Sequence, residues 1–131
     1  MNNLKLTILK SMKHSGNPVV EKSFSFATQI VKSHKYLIKK DKSLISLYNQ
    51  LLRTGTSIGA NIAESQAASS KSDFRNKLRI SLKEAYETEY WLKLFFDSVM
   101  LEKKEFESLL KDCLELIKLL TSIIRSVTLK T

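Results

Sequence analysis

The sequence predicts an all-α fold, an antiparallel up-down-up-down four-helix bundle. Two observations predict it. Apolar residues recur with a period of about 3.6 through four long segments. A single proline and three glycines among 131 residues leave little material for turns, so the connections must be short and neighbouring helices antiparallel. The length is that of one domain, and with 43% apolar residues a core can form without staples.

The first helix begins at Asn17-Pro18, an N-cap followed by proline in the first turn, and runs to about Lys40. Val20, Phe24, Ala27, Val31, His34 and Ile38 share one of its faces, which is the face expected inward. The second helix spans about Ser43 to Ala68, with Leu44, Leu47, Tyr48, Leu51, Gly55, Ile58 and Ile62 aligned. Ser70 precedes Asp73 by three positions, an approximate capping box that opens the third helix. That helix extends to about Val99 along the stripe Phe74, Leu78, Leu82, Ala85, Thr88, Leu92 and Phe96. The fourth covers about Lys103 to Thr128, with Phe106, Leu110, Cys113, Ile117, Leu120 and Ile124 inward. Residues 17–131 form the bundle domain, and residues 1–16 a basic extension outside it, read as loosely docked or poorly ordered.

Gly55 and Gly59 lie inside the second helix, where each costs about 1 kcal/mol against alanine. With Ala60 and Ala63 they make a small-residue patch on which another backbone or a large ring can approach closely. A phosphate loop is the poorer reading, because "RTGTSIGAN" lacks a Gly-Lys-Ser/Thr ending and a preceding strand.

Each helix also carries apolar residues off its main stripe, and three share the pattern clearly: the first with Phe26, Ile30 and Leu37, the third with Ile80, Trp91 and Leu94, and the fourth with Leu116, Leu119 and Ile123. One bundle hides a stripe of about 100° per helix. The surplus predicts a second buried surface, hence self-association, over the alternative of scattered surface hydrophobes. If the flank with Ile80 and Trp91 is covered, Glu84 and Glu87 on it need cations. Arg53, next to Asn61 and Glu64 on the second helix, is the obvious partner.

The net charge is +9, and it is uneven: residues 1–40 hold eight lysines against Glu21 alone. Such an excess raises the odds of a polyanionic partner and also aids solubility. Cys113 is the only cysteine, which excludes an internal disulfide and a cysteine-ligated structural zinc and fits a reducing, cytoplasmic compartment. The start of the chain is too broken in hydropathy for a signal peptide, and no later span approaches the length of a transmembrane helix, so no membrane role is expected.

Several blocks carry a resemblance. "EKSFSFATQIVK" and "QLLRTGTSIGANIAESQAASSKSDFRNKLRISLKEAYETEYWLKL", with their spacing, resemble the bacterial four-helix-bundle family of 23S rRNA intervening-sequence proteins. They are similar also to the accessory variability proteins of diversity-generating retroelements. The match covers about Asn17 to Val127. The resemblance implies up-down bundles that assemble as ring-like homo-oligomers, specifically homopentamers. It further implies, through the accessory proteins, binding of nucleic acid and of a reverse transcriptase.

Candidate nucleic-acid-binding residues are Arg75, Arg79, Lys83 and Lys93, with Tyr86 and Tyr90 in the same sector of the third helix and Lys71 nearer the core edge. Lys32, Lys35 and Lys39 form a second stripe on the first helix. Cations among rings hold phosphates and stack bases, while the bland reading is a solvated face with tyrosines on lysine stems. No groove-reading motif accompanies them, so little sequence discrimination is expected. A protein-docking scaffold without nucleic acid is the alternative function. A carboxylate metal enzyme built on Glu64, Glu84 and Glu87 is a minor one, because neither His14 nor His34 supplies a Glu-x-x-His pair. His34 is read as a packed histidine and Cys113 as a small core hydrophobe. No catalytic residue, metal or cofactor is assigned.

Overall fold

Asn17 caps the start of the first long helix: its backbone is extended, its side chain accepts from the Val19 amide at 3.2 Å, and Pro18 occupies the first helical position. The computed structural model describes residues 3–4 and 17–129, so the expectation for residues 1–16 lies almost wholly outside the described residues, as does His14. Four helices follow: α1 (Pro18–Lys40), α2 (Ile45–Ser65), α3 (Lys71–Asp97) and α4 (Lys103–Leu129), with one 3₁₀ turn (Lys42–Leu44) before α2. There is no strand among the described residues.

The helix ends are chemically explicit. Asp41 caps the 3₁₀ turn, and the Ser43 hydroxyl and amide hold its carboxyl below the usual range. The Ser70 hydroxyl accepts from the Asp73 amide at 3.0 Å, while the Asp73 carboxylate reaches back to the Ser69 amide. At its other end α3 closes without glycine. Val99 takes φ 59°, and the Met100 amide donates to the Phe95 carbonyl at 2.8 Å while Val99 donates to Phe96. This is a Schellman cap with a β-branched residue in the left-handed position, a strained choice.

Residue pairs fix the topology. Moving up α1 from Ser23 to Ile30, the contacts on α2 run down from Gly59 to Gly55. Thr54 meets Thr88 and Ile58 meets Ser81 between α2 and α3; Ala85 meets Cys113 and Phe96 stacks on Phe106 between α3 and α4. Lys22 pairs with Glu115, and Ser33 donates to Glu105, between α1 and α4. Each adjacent pair is therefore antiparallel, the helices run up-down-up-down, and α1 and α3 stand on opposite corners. The α1–α4 seam is the most open one, and a cleft of about 460 Å³ lies between α1 and the α3–α4 turn.

The core is Phe26, Ile30, Leu51, Ile58, Ile62, Leu78, Leu92, Phe95, Leu109, Leu116 and Leu120, with smaller neighbours. This corrects the face expected for α1. Val19, Ser23, Phe26, Ile30, Ser33 and Leu37 are buried, whereas Phe24 and Val31 are 42% and 38% exposed. The two rows sit one residue apart and have the same four-three spacing, so periodicity alone favours neither. The true row contains two serines for physical reasons. A Cβ on Gly59 would lie 3.2 Å from the Ser23 carbonyl oxygen, so α1 presses its backbone there, and Ser33 bonds to Glu105. On α3 the core takes Phe95 and leaves Phe96 half outside, and on α4 Leu116 is core rather than surplus.

The glycines thus mark a close helix crossing, as expected, though at Gly55 the visitor is the branched Ile30 rather than a ring. An added Cβ there would lie 2.8 Å from Ile30 Cγ1. Gly55→Ala is expected to lower Tm, because overpacking costs about 1–3 kcal/mol against a helix-propensity gain of about 1 kcal/mol. Combined with Ile30→Ala in thermal or urea unfolding, the two losses should fall well short of additive; full additivity would place Ile30 elsewhere.

Candidate nucleic-acid interface

The core row of α3, Leu78, Ser81, Ala85, Thr88, Leu92 and Phe95, sets what faces away from it. Ser81 donates to the Ile58 carbonyl at 2.8 Å, and the hydroxyls of Thr54 and Thr88 meet at 3.0 Å. These short side chains bring α3 close to α2 and fix its rotation. Opposite the core, Arg79, Lys83, Tyr86 and Tyr90 then fall at spacings of four, three and four along one outward row, all exposed. Arg75 continues the row toward the N-terminus, half-buried, and Lys93 toward the C-terminus, exposed and bonded to Glu89 at 2.7 Å. Arg75, Arg79 and Lys83 form no salt bridge among the described residues. Lys71, in the first turn of α3, borders a separate hollow with Ser65, Phe74 and Val127.

The α1 stripe does not join this row. Lys32, Lys35 and Lys39 are exposed, but α1 stands diagonally across the bundle from α3. Lys32 lines the cleft at the α1–α4 seam with Tyr36, Lys40 and Glu102. The chain therefore shows two separate basic faces.

The flank of α3 toward α2 is tied internally. Arg53 Nη2 donates to Glu87 Oε2 at 2.7 Å, and Trp91 Nε1 donates to the same oxygen at 3.1 Å. Arg53 Nη1 lies 3.6 Å from Glu84 Oε2, a buried oxygen without a hydrogen bond. The pairing of Arg53 with both carboxylates is as expected. These partly exposed pairs add little stability, and their effect is to hold side chains in place. Trp91 in turn meets the Tyr90 ring edge-on with centroids 5.0 Å apart. Periodicity gave no signal for that ring contact, because Trp91 and Tyr90 belong to different faces of an ideal helix.

The other singled-out residues have local roles. Glu64 pairs with Lys77 at 3.7 Å, and Asn61 donates to the Ser57 carbonyl. His34 bonds to Asn49 at 2.7 Å, linking α1 to α2. Glu64, Glu84 and Glu87 each face a cation, and no three His, Cys, Asp or Glu side chains converge among the described residues. Of the apolar surplus, Trp91, Leu94, Leu119 and Ile123 pack half-buried against the core, and Ile80 stands at the edge of exposure. The residues that sequence reasoning missed are Phe24 and Val31 as outward groups. Phe24, with Val20, Ser23 and Ala27, lines a hollow against Thr56, Gly59, Ala60 and Ala63 of α2, and Val31 lies exposed one heptad beyond Phe24.

Cys113 is buried, and its thiol donates to the Ala85 carbonyl at 3.3 Å. Burial first, then the Glu89 charge, pushes its pKa up to about 12. The unfolded thiol ionises near 8.5, so the folded state holds the proton over the window from there to about 12. Its contribution to stability is intact below the window and is lost as pH rises through it. Unfolding free energy should therefore decline above about pH 8.5, and Cys113→Ala should flatten that decline. Native protein should resist a maleimide at neutral pH.

Among the described residues no helix is long and apolar enough to cross a membrane. Comparison with known proteins places this geometry. No curated protein matches the chain. A crystal structure of a protein of unknown function from the S23 ribosomal protein family of Bacteroides thetaiotaomicron is 47% identical to it. That likeness covers 81% of this chain and 97% of that one, with a TM-score of 0.77. Residues 16–122 match the family described as 23S rRNA-intervening sequence protein, and the chain belongs to that family.

Proposed function

We propose that the protein is a non-catalytic, self-associating, nucleic-acid-binding protein of the cytoplasm with little sequence specificity. The observation that carries the binding is the outward row of α3, where Arg79 and Lys83 form no salt bridge among the described residues and stand beside Tyr86 and Tyr90 in a chain of net charge +9. Such a row neutralises phosphates and carries no base-edge code. The α1 face with Phe24 and Val31 supports self-association, since it leaves an apolar seam of coiled-coil spacing half in water. A homopentamer is the assembly implied by the resemblance, and a reverse transcriptase partner rests on that resemblance alone. In a ring each basic row repeats, and weak contacts gain avidity when the geometry lets them engage together.

The same seam also favours a second reading, a scaffold that docks a different protein there. Light scattering separates the two. The purified chain should run as a multimer and Phe24→Glu as a smaller species with intact helicity; a wild-type monomer would leave the scaffold reading standing. Binding is tested by mobility shift at low salt. Affinity should fall with a log–log slope of about −0.7 to −0.9 per phosphate contacted, and Arg75→Glu with Arg79→Glu should weaken it about tenfold or more. Absence of any shift at micromolar protein would reject the nucleic-acid reading.

A further inference from the structure

Resting on the nucleic-acid reading above, we infer that the α3 row is a stacking platform for unpaired bases, so that its ligand is single-stranded nucleic acid and not duplex. Tyr86 and Tyr90 are 53% and 57% exposed, far more than the half-buried Trp91 behind them. They stand one turn apart, which at 1.5 Å per residue is about 6 Å along the helix. Successive bases in a stacked strand are about 3.4 Å apart. Two neighbouring bases can each lie on one ring only after they unstack from each other, which a paired duplex resists and a single strand permits at low cost.

Side chains around the rings support this use. Tyr90 is backed edge-on by Trp91, whose indole is held by Glu87, itself held by Arg53. The ring is thus braced from the α2 side while its other side is open to solvent. Arg79 and Lys83 precede the rings on the same row, placed to hold the phosphates of the strand upstream of the stacked bases. Glu89, next to Tyr90 in the sequence, is occupied by Lys93. The α1 lysines lack this arrangement: Tyr36 is the exposed ring among them, and it borders the cleft with Glu102 and Glu105, whose charge opposes a phosphate chain.

The test is fluorescence anisotropy with a labelled oligothymidylate of about 12 nucleotides, within the range that one stacking groove covers, against a duplex of equal length at matched low salt. The single strand should bind more tightly. Tyr86→Ala and Tyr90→Ala should each weaken the single strand about 5- to 100-fold and so narrow or abolish its advantage over the duplex. Tyr86→Phe and Tyr90→Phe should keep single-strand affinity, since the ring persists. Both tyrosines are exposed, so helicity by circular dichroism should not change in any variant. Equal affinity for both forms, or tyrosine losses shared equally by the duplex, would overturn the platform while the general nucleic-acid reading stood. Binding to neither form would overturn both.

Discussion

α2 is seated at close range between two neighbours, and the rest of the structure follows from how closely. On one side Gly55 and Gly59 have no side chain, and Ile30 and the Ser23 backbone of α1 occupy the space. On the other, Thr54 and the Ile58 carbonyl receive Thr88 and Ser81 of α3. Close approach converts a permissive apolar contact into a steric one, and a steric contact fixes rotation about the helix axis. Once α1 and α3 cannot rotate, their outward faces are determined as well. α1 presents Phe24 and Val31, and α3 presents Arg79, Lys83, Tyr86 and Tyr90.

Energetics and function therefore come from the same small residues. The two helical glycines are unfavourable for an isolated helix by about 1 kcal/mol each, and the contacts they permit offset that. The hydroxyl and thiol groups in these seams are satisfied locally: Ser81 and Cys113 donate to helix carbonyls, and Thr88 donates to the Glu84 carbonyl. Because the α1–α4 seam is looser and bridged by polar contacts such as Ser33 with Glu105, α1 depends mainly on α2 for its orientation.

Much of this was legible in the sequence. Helix existence and boundaries followed from caps and periodicity: Pro18 begins α1, Ser70 caps α3, and α4 starts at Lys103. The Arg53 pairing with Glu84 and Glu87 followed from their flank. The rotation of α1 was not legible, because two apolar rows with identical spacing lie one residue apart and the row that wins is the one with two serines. The choice depends on what the partner helix lacks, the Cβ atoms of Gly55 and Gly59, which no pattern within α1 records. The diagonal placement of α1 and α3 likewise separates two lysine-bearing stripes that charge counting treats as one.

The seating of α1 on the glycines is tested most directly by proton–proton NOEs on the methyl-labelled protein. The account predicts strong cross-peaks from the Ile30 methyls to the Gly55 α-protons and none from the Val31 methyls to either Gly55 or Gly59. Cross-peaks from Val31 to those glycines, with Ile30 silent, would show α1 rotated onto its other apolar row and would contradict the assignment of both outward faces.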